Sequence, residues 1–594
     1  MAADVVSAPP ALDVARSLSG RRWIWRSAED RVGLGIAQRL GLPEILGRLL
    51  AARGVGVEAA ADFLEPTLRA LLPDPSVLAD MDTAADRLAD AVRRGETVGI
   101  FGDYDVDGAC SGAVMAAFLR GLGCTTLPHV PDRMAEGYGP NLPALQGLLT
   151  RGATLIVCVD CGTAAGDVLG ALRGADVLVL DHHKSDGPAP PVAATVNPNR
   201  LDCQSGLGHL CAAAIAFLTT VATTRALRRA GYFATRPEPD LLALLDLVAL
   251  ATVCDVMPLT GLNRALVAQG LKVMARRGRP GIAALLDVAQ VRDRPSAMTL
   301  GFALGPRINA AGRISEADLG LRLLLADDPV EARGLAATLD AVNRQRQQVE
   351  QAMLDAAMDA AAAQAAQGHA ALLVWGSEWH PGVVGIVAGR IKERFNRPAC
   401  VAAVADGVAK GSGRSVPGID LGGAIIAARQ AGILSTGGGH AMAAGFSLPA
   451  ARLAAFHALL DERLAAAADL PSVADLAVEG TVAVGGCSME LALQIQRLAP
   501  FGPGNEEPTL ILPRARVVRA DRVGREANTI RAFIEGEGGV GRLKAMLFRA
   551  KDGPLAEAML ARGGAPLHLA GHLRAEEWNG TTTPGFVVSD AALA

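Results

Sequence analysis

Four short stretches concentrate the residues able to do acid–base or metal chemistry. Gly102-Asp103-Tyr104-Asp105-Val106-Asp107-Gly108 holds three carboxylates in five residues. Asp160 follows the apolar run 154–159, and Asp181-His182-His183 follows the apolar run 177–180. Asp255 lies in Val253-Cys254-Asp255-Val256. So many carboxylates in one place cannot remain bare anions, because mutual repulsion and lost hydration oppose it. A divalent cation removes the conflict. Oxygen donors with one or two imidazoles suit Mn²⁺ or Mg²⁺ better than a thiolate-preferring metal. Two such ions about 3.5–4 Å apart would clamp a phosphodiester and generate a hydroxide nucleophile near neutral pH.

Each stretch also has a plainer reading. GDYDVDG begins like an EF-hand loop, but its twelfth position is Val114 rather than Glu, and a strand rather than a helix precedes it. An aspartyl-nucleophile phosphatase also opens with strand-Asp-x-Asp, yet neither register supplies the Thr or Val it needs two residues after the second Asp. Helix capping accounts for any single Asp at a strand–helix turn, but not for three. A His pair in a loop can simply be solvated; directly after a strand-end Asp, a ligand role gains ground. Cys158-Val159-Asp160-Cys161 has C-x-x-C spacing without a second pair or a helix start, so both thiols read as packing residues.

The elements that must position these groups follow from periodicity. Residues 97–101, 154–159 and 177–180 read as short strands, alternating with helices such as 113–121. That alternation implies a parallel sheet with helices on its faces, whose ligands gather beyond the carboxyl ends of the strands. Residues 241–253 read as a buried helix that brings Asp255 to the same edge. Asp327-Asp328-Pro329 is a helix start, and the Ala-, Gln- and Glu-rich run after it has no Pro before Gly368. One helix of that length spans roughly 60 Å and would bridge domains. A second α/β unit begins with a strand at 370–374. The tail reads as a small β-barrel or sandwich with one helix at 489–498 and strands at 509–512, 516–518 and 544–548. The expected divisions are 1–77, a helical lead-in with a disordered first dozen residues; 78–326, the acid-bearing sheet; 327–368, the connecting helix; 369–465, the second α/β unit; and 475–594, the β-rich tail.

Bulk properties narrow the class. With 594 residues, half of them hydrophobic, the chain is globular and too long for one core. A formal charge of −4 does not advertise a nucleic-acid partner, but a carboxylate-rich site masks local basic patches in the total. Nine Cys without a disulfide framework fit reduced thiols in a cytoplasmic protein. No signal peptide is apparent, and the most apolar stretch, 241–259, is broken by Asp246 and Asp255, so no membrane span is expected.

Taken in order, the four acidic stretches resemble the successive motifs of the DHH phosphoesterase superfamily, in the form found in its branch of bacterial single-strand exonucleases. The resemblance continues in Pro306-Arg307-Ile308-Asn309-Ala310-Ala311-Gly312-Arg313 and in Trp379-His380-Pro381-Gly382-Val383-Val384-Gly385. Gly411-Ser412-Gly413-Arg414-Ser415 and Gly437-Gly438-Gly439-His440 resemble the DHH-associated domain, and Pro500-Phe501-Gly502-Pro503-Gly504-Asn505 resembles the start of the family's OB-fold. The segments 206–214 and 262–264 depart from the family pattern without touching the acids.

The resemblance implies an α/β fold: a DHH-type parallel-sheet domain, a long helix, a DHH-associated domain and a C-terminal OB-fold β-barrel. It implies a 5′-to-3′ exonuclease acting on single-stranded DNA in recombination and repair, with two Mn²⁺ or Mg²⁺ ions. By motif position, Asp105, Asp107, Asp160, His182 and Asp255 would be metal ligands, and Asp103 and His183 would complete the site. Arg133, Ser412 and Arg414 would hold the 5′ phosphate, and the associated domain would face the metals across a groove admitting one strand. Taken as residues alone, Ser412 and Arg414 could mark only a turn, and Gly437–His440 only a flexible loop. Arg307, Asn309 and Arg313 could track the DNA backbone, or the arginines could pair with acids on a neighbouring helix. Phe501, Phe533, Phe548 and Trp578 are the aromatics that an OB-fold could stack on bases. A monomer working with a single-strand-binding protein and a helicase is a family expectation. The competing readings are a DHH phosphodiesterase for short oligonucleotides or cyclic dinucleotides, and a scaffold without catalysis.

Overall fold

Residues 97–102 and 155–159 are near-continuous apolar runs, which suits strands buried on both faces. Both lie within a five-stranded, fully parallel sheet with the order Thr125–His129, Thr97–Gly102, Leu155–Val159, Asp176–Leu180, Ala194–Val196. The chain leaves the first strand to one side and returns on the other. The switch point therefore falls between Thr97–Gly102 and Leu155–Val159, where ligand crevices form in open sheets. The computed structural model describes residues 9–26, 28–132, 136–137, 139–185, 187–471, 473–524, 526–578 and 581–594. Two compact units emerge. Asp62–Arg346 joins Ala499–Glu506 in one; the chain up to Ala61, Gln347–Leu498 and Glu507–Ala594 form the other.

In the sheet-bearing unit, the helix after the first strand runs over Val106–Gly121 and so begins inside the acidic motif, seven residues before the expected 113. Its small residues (Gly, Ala, Cys, Ser) are weak helix signals, but almost all are buried, and packing supplies what propensity does not. Gly108 has a specific task. A Cβ there would lie 2.3 Å from the Asp103 carbonyl oxygen, so only glycine lets this first turn close on the strand end. The expected buried helix is split into a 3₁₀ turn, Leu241–Leu244, and the α-helix Leu245–Cys254.

Pro329–Ala366 is one helix of 38 residues, capped by the Asp328 carboxylate on the Val330 and Glu331 N–H groups and followed by Gly368 at φ +85°. The second unit holds a five-stranded sheet ordered Thr436–His440, Ala443–Pro449, Val408–Arg414, Ala399–Ala405, Leu372–Gly376. The Gly437–His440 stretch is therefore strand, paired residue by residue with Ala443–Phe446, and not a flexible loop. In the tail, the separate runs expected at 509–512 and 516–518 merge into one bulged strand, Leu510–Val523. With Thr529–Glu535, Arg542–Leu547, Leu567–Trp578 and Thr581–Leu593 it forms a partly closed ring, and a second helix, Pro554–Leu560, joins Met489–Gln496. The lead-in is not purely helical: Trp23–Trp25 pairs in parallel with Leu476–Val478, and the buried Trp23 indole donates to Asp590 at 2.9 Å. Residues 1–8 of the expected disordered dozen lie outside the described residues, whereas Ala11 is fully buried.

Candidate metal centre

The four acidic stretches converge at the carboxyl edge of the parallel sheet. Asp105 caps the helix Val106–Gly121, accepting from the Asp107 and Gly108 N–H groups at 2.9 and 3.0 Å. The plain capping reading is thus correct for this residue, without exhausting what its carboxylate can do. Asp107, in the first turn of that helix, is buried and accepts from the Ala212 and Ala213 N–H groups at 2.7 and 2.8 Å. Those groups open the 18-residue helix Ala212–Arg229, whose dipole favours an anion at this end. Asp160 ends its strand in a left-handed conformation, φ +59°, a strain that persists only where the surroundings enforce it. Asp255 closes the C-terminus of Leu245–Cys254, and Val256 after it is also left-handed at φ +60°, costly for a β-branched residue.

His182 is the hub. Its Nε2 stands 3.2 Å from Asp160 Oδ1, 3.5 Å from Asp255 Oδ2 and 3.7 Å from Asp107 Oδ2. One nitrogen cannot satisfy three carboxylates, and Asp160 Oδ1 and Asp255 Oδ2 are buried with no hydrogen-bond donor among the described residues. Burial, then the neighbouring carboxylates, pushes Asp160 well above the ordinary carboxylate range, and burial followed by Asp107 and Asp105 pushes Asp255 up to about 9. Burial raises Asp107 as well, against the pull of His182. Orphaned oxygens on acids that resist ionisation are what an oxygen-preferring cation repairs, so the donor set fits Mn²⁺ or Mg²⁺. Asp103, Asp105 and Asp160 form one group with ligand-type atoms within 4.8 Å of one another; Asp107, His182 and Asp255 form another, and Asp160, His182 and His183 a third.

Asp181, which sequence reasoning left out of the site, orders the histidines. Its Oδ1 accepts from the His182 and His183 N–H groups at 2.7 and 3.1 Å and from His183 Nδ1 at 2.8 Å, while Oδ2 accepts from the Thr163 N–H at 3.0 Å. Burial works against its charge, but these bonds outweigh it and hold the carboxyl well below the usual range. Burial also works against a charged His183, yet the Asp181 bond and the surrounding acids raise it to about 9. Asn197 and Asn199 fasten the pair from behind, donating to the His183 and His182 carbonyls at 2.8 and 2.6 Å. The signal for Asp181 was present in its position directly before two histidines.

The remaining expected residues divide. Arg133 lies outside the described residues. Arg307 is held by Asp340 of the long helix at 2.9 Å, the plainer of its two readings, while Asn309 and Arg313 are half-buried on the same helix, Gly305–Ile314. In the second unit, Ser412 and Arg414 share one face of the strand Val408–Arg414, and Arg414 donates to Ser412 Oγ at 2.8 Å. Both lie against Gly385 in the first turn of the helix Val384–Phe395, where a Cβ would come within 3.1 Å of each side chain. A guanidinium, a hydroxyl and a helix N-terminus are the parts of a phosphate site. Burial lowers Arg414 from its ordinary value, so an anion there would be welcome. His440 is exposed at the end of its strand. Phe501 and Phe533 are half-buried and Phe548 is exposed, while the Trp578 side chain lies outside the described residues. Of the two segments that depart from the family pattern, 206–214 does touch an acid, against expectation: its Ala212 and Ala213 N–H groups hold Asp107. Asn263 donates to the His209 and Pro258 carbonyls, and the buried Arg264 grips the carbonyls of Phe63 and Ala499. No helix among the described residues is long and apolar enough to cross a membrane.

A parallel sheet with carboxylates and a His pair at its switch point defines a DHH-type protein, and residues 97–252 match the DHH family, N-terminal domain. Residues 366–466 match the DHHA1 domain and 478–590 the RecJ OB domain. The single-stranded-DNA-specific exonuclease RecJ of Salmonella typhimurium is 38% identical over 514 residues, 84% of this chain and 88% of that protein. RecJ of Bacillus subtilis is 32% identical over 97% of this chain and 71% of that protein. The crystal structure of RecJ in complex with Mn²⁺ from Thermus thermophilus superposes with a TM-score of 0.78 at 30% identity, over 96% of this chain and 79% of that one. The chain belongs to the RecJ family.

Proposed function

We propose that this chain is a divalent-metal-dependent exonuclease that removes mononucleotides from the 5′ ends of single-stranded DNA in recombination and repair. The observation that carries the reading is the pair of buried oxygens without donors among the described residues, Asp160 Oδ1 and Asp255 Oδ2, facing one imidazole in a chain of the RecJ family. Asp105, Asp107, Asp160, His182 and Asp255 hold Mn²⁺ or Mg²⁺. Bound cations supply charge neutralisation at the phosphodiester and a water of lowered pKa. The protein's own part is positional. Asp107 is fixed by two backbone N–H groups, His182 by Asp181 and Asn199, and His183 by Asp181, so the donors need little reorganisation. His183, cationic at neutral pH, and Asp103 complete the site beside the reacting phosphate. Arg133, Ser412 and Arg414 take the terminal 5′ phosphate, with His440 near it, and Asn309 and Arg313 follow the strand, whereas Arg307 is engaged by Asp340.

The match of 478–590 to the RecJ OB domain favours a polymeric substrate over dinucleotides, and the full acid and His set disfavours a scaffold without catalysis. We further infer a cytoplasmic monomer that receives strands from a helicase and a single-strand-binding protein, with domain limits at 78–326, 327–368, 369–465 and 475–594 after a lead-in of 1–77. The test is digestion of end-labelled DNA with Mn²⁺ or Mg²⁺, single against double strands, free against blocked 5′ ends. Mononucleotide release from free 5′ ends, abolished in Asp107→Ala, is the expected result. Cleavage confined to dinucleotides, or none at all with DNA binding intact, would overturn it.

A further inference from the structure

We propose that Phe302, with Met298 beside it, is a stacking platform for a base of the bound single strand; the inference rests on the exonuclease reading above. Phe302 is 78% exposed and Met298 57% exposed. Single exposed apolar residues are ordinary, but two large ones spaced four apart share one side of a helix. They sit at the π-helical turn Thr299–Leu304, which runs on into the helix Gly305–Ile314. Such turns recur at functional sites.

The location gives the exposure its meaning. The segment lies along the acid cluster, and glycines set its approach. A Cβ on Gly301 would meet Val253 at 3.5 Å; on Gly305 it would lie 2.4 Å from Cys254 Sγ, and on Gly312 2.6 Å from the Tyr104 carbonyl oxygen. Cys254 precedes Asp255, and Tyr104 stands between Asp103 and Asp105. The helix is therefore seated closely on both acid-bearing segments, its own glycines leaving room for Val253, Cys254 and Tyr104. Asn309 and Arg313, seven and eleven residues beyond Phe302, fall on roughly the same side of the helix. Arg307 points elsewhere, to Asp340. A stripe of thioether, aromatic ring, amide and guanidinium beside a phosphodiester-cleaving centre has the make-up of a single-strand track, where bases stack and charges follow the backbone. Within this segment the large exposed apolar side chains are these two, since Ala297, Leu300 and Leu304 face the core. That is far short of the roughly 800 Å² per side of a stable protein interface and suits one or two bases.

The probe is a 5′-phosphorylated oligodeoxynucleotide with phosphorothioate linkages at its 5′ end and a single 2-aminopurine, bound to the full-length protein. Phe302→Ala is expected to weaken binding about 5- to 150-fold, the loss of one base stack, and to relieve 2-aminopurine quenching. Phe302→Trp retains affinity and quenching, whereas Phe302→Leu, apolar but without a ring, behaves as Phe302→Ala does. Equal affinity of wild type and Phe302→Ala overturns the proposal, as does equal loss in Phe302→Trp. A change in sedimentation of the DNA-free protein on substitution assigns the patch to a second copy of the chain instead. Hydrolysis of the unmodified strand by wild type, measured alongside, reports separately on the exonuclease reading.

Discussion

Two clusters in this molecule are built from the same residue types and behave differently. Asp107, Asp160, His182 and Asp255 gather at the carboxyl edge of the parallel sheet, and His369, His457 and Asp461 gather in the other unit. In the second cluster each side chain has a protein partner. His369 Nδ1 bonds Asp461 Oδ2, the Ala371 N–H donates to Asp461 Oδ1 at 3.1 Å, and His457 Nε2 donates to the Ala371 carbonyl at 2.9 Å. The two rings stack at 4.6 Å, 29° from parallel, which is poor for aiming two lone pairs at one ion. In the first cluster, two buried carboxylate oxygens have no donor among the described residues, and burial raises three of the acids. Residue type and proximity alone do not identify a metal site; uncompensated buried charge does. The second cluster is a staple fastening the end of the long helix, and the first has the donor set of a cation site.

Substitutions should separate the two. Asp107→Ala or Asp160→Ala should lower single-strand cleavage more than about 100-fold, beyond the range of outer-sphere partners, whereas Asp461→Asn leaves the rate unchanged. A similar loss in Asp461→Asn would erase the distinction. Asp181→Ala, which frees both histidines without removing a ligand, should cost roughly 10- to 100-fold in metal affinity or activity. Mn²⁺ at about 100 times its Kd should stabilise wild type by about 2.7 kcal/mol in thermal unfolding. That gain should vanish in Asp160→Asn and persist in His369→Ala. Asp461→Asn should lower metal-free stability by about 0.5–1.5 kcal/mol, the net worth of a hydrogen bond between half-buried groups, while Asp160→Asn replaces a carboxyl that burial already disfavours as an anion and should not.

The smallest effect concerns pH. Asp255 titrates near 9 in the folded chain, above its unfolded value of about 3.9, so the unfolded state holds fewer protons between those limits. Stability present at low pH is therefore lost as pH rises through 9. His183, also raised to about 9, acts with the same sign above its unfolded value of about 6.5. Metal-free protein should melt at lower temperature at pH 9 than at pH 7, and Mn²⁺ should reduce the difference. A melting temperature that rises over this range would contradict the assignment of Asp255 and His183 as raised groups.

Legibility in the sequence followed the range of the interactions involved. The long helix was readable because its cap, Asp328-Pro329, and its stop, Gly368, are local signals. The strands before Asp103, Asp160 and Asp181 were readable because a buried parallel strand needs an unbroken apolar run. The start of Val106–Gly121 was not readable, since a helix of Gly, Ala, Ser and Cys draws its stability from neighbours on every side. The Gly437–His440 strand was missed for the same reason: glycines carry no β signal, and pairing with Ala443–Phe446 made the strand.

By itself, the sequence determined the acids and histidines, their order along the chain and the strand ends that carry them, because covalent order and short-range periodicity decide those. Only the tertiary structure decided that Asp107 meets the Ala212 and Ala213 N–H groups more than a hundred residues away, that Asp181 orients His183, and that Asp160 and Asp255 keep oxygens without donors among the described residues. It also decided that Arg307 belongs to Asp340 and that His369, His457 and Asp461 satisfy one another. Burial and partnership are properties of the packed chain, and they set both the cost of a charge and what can relieve it.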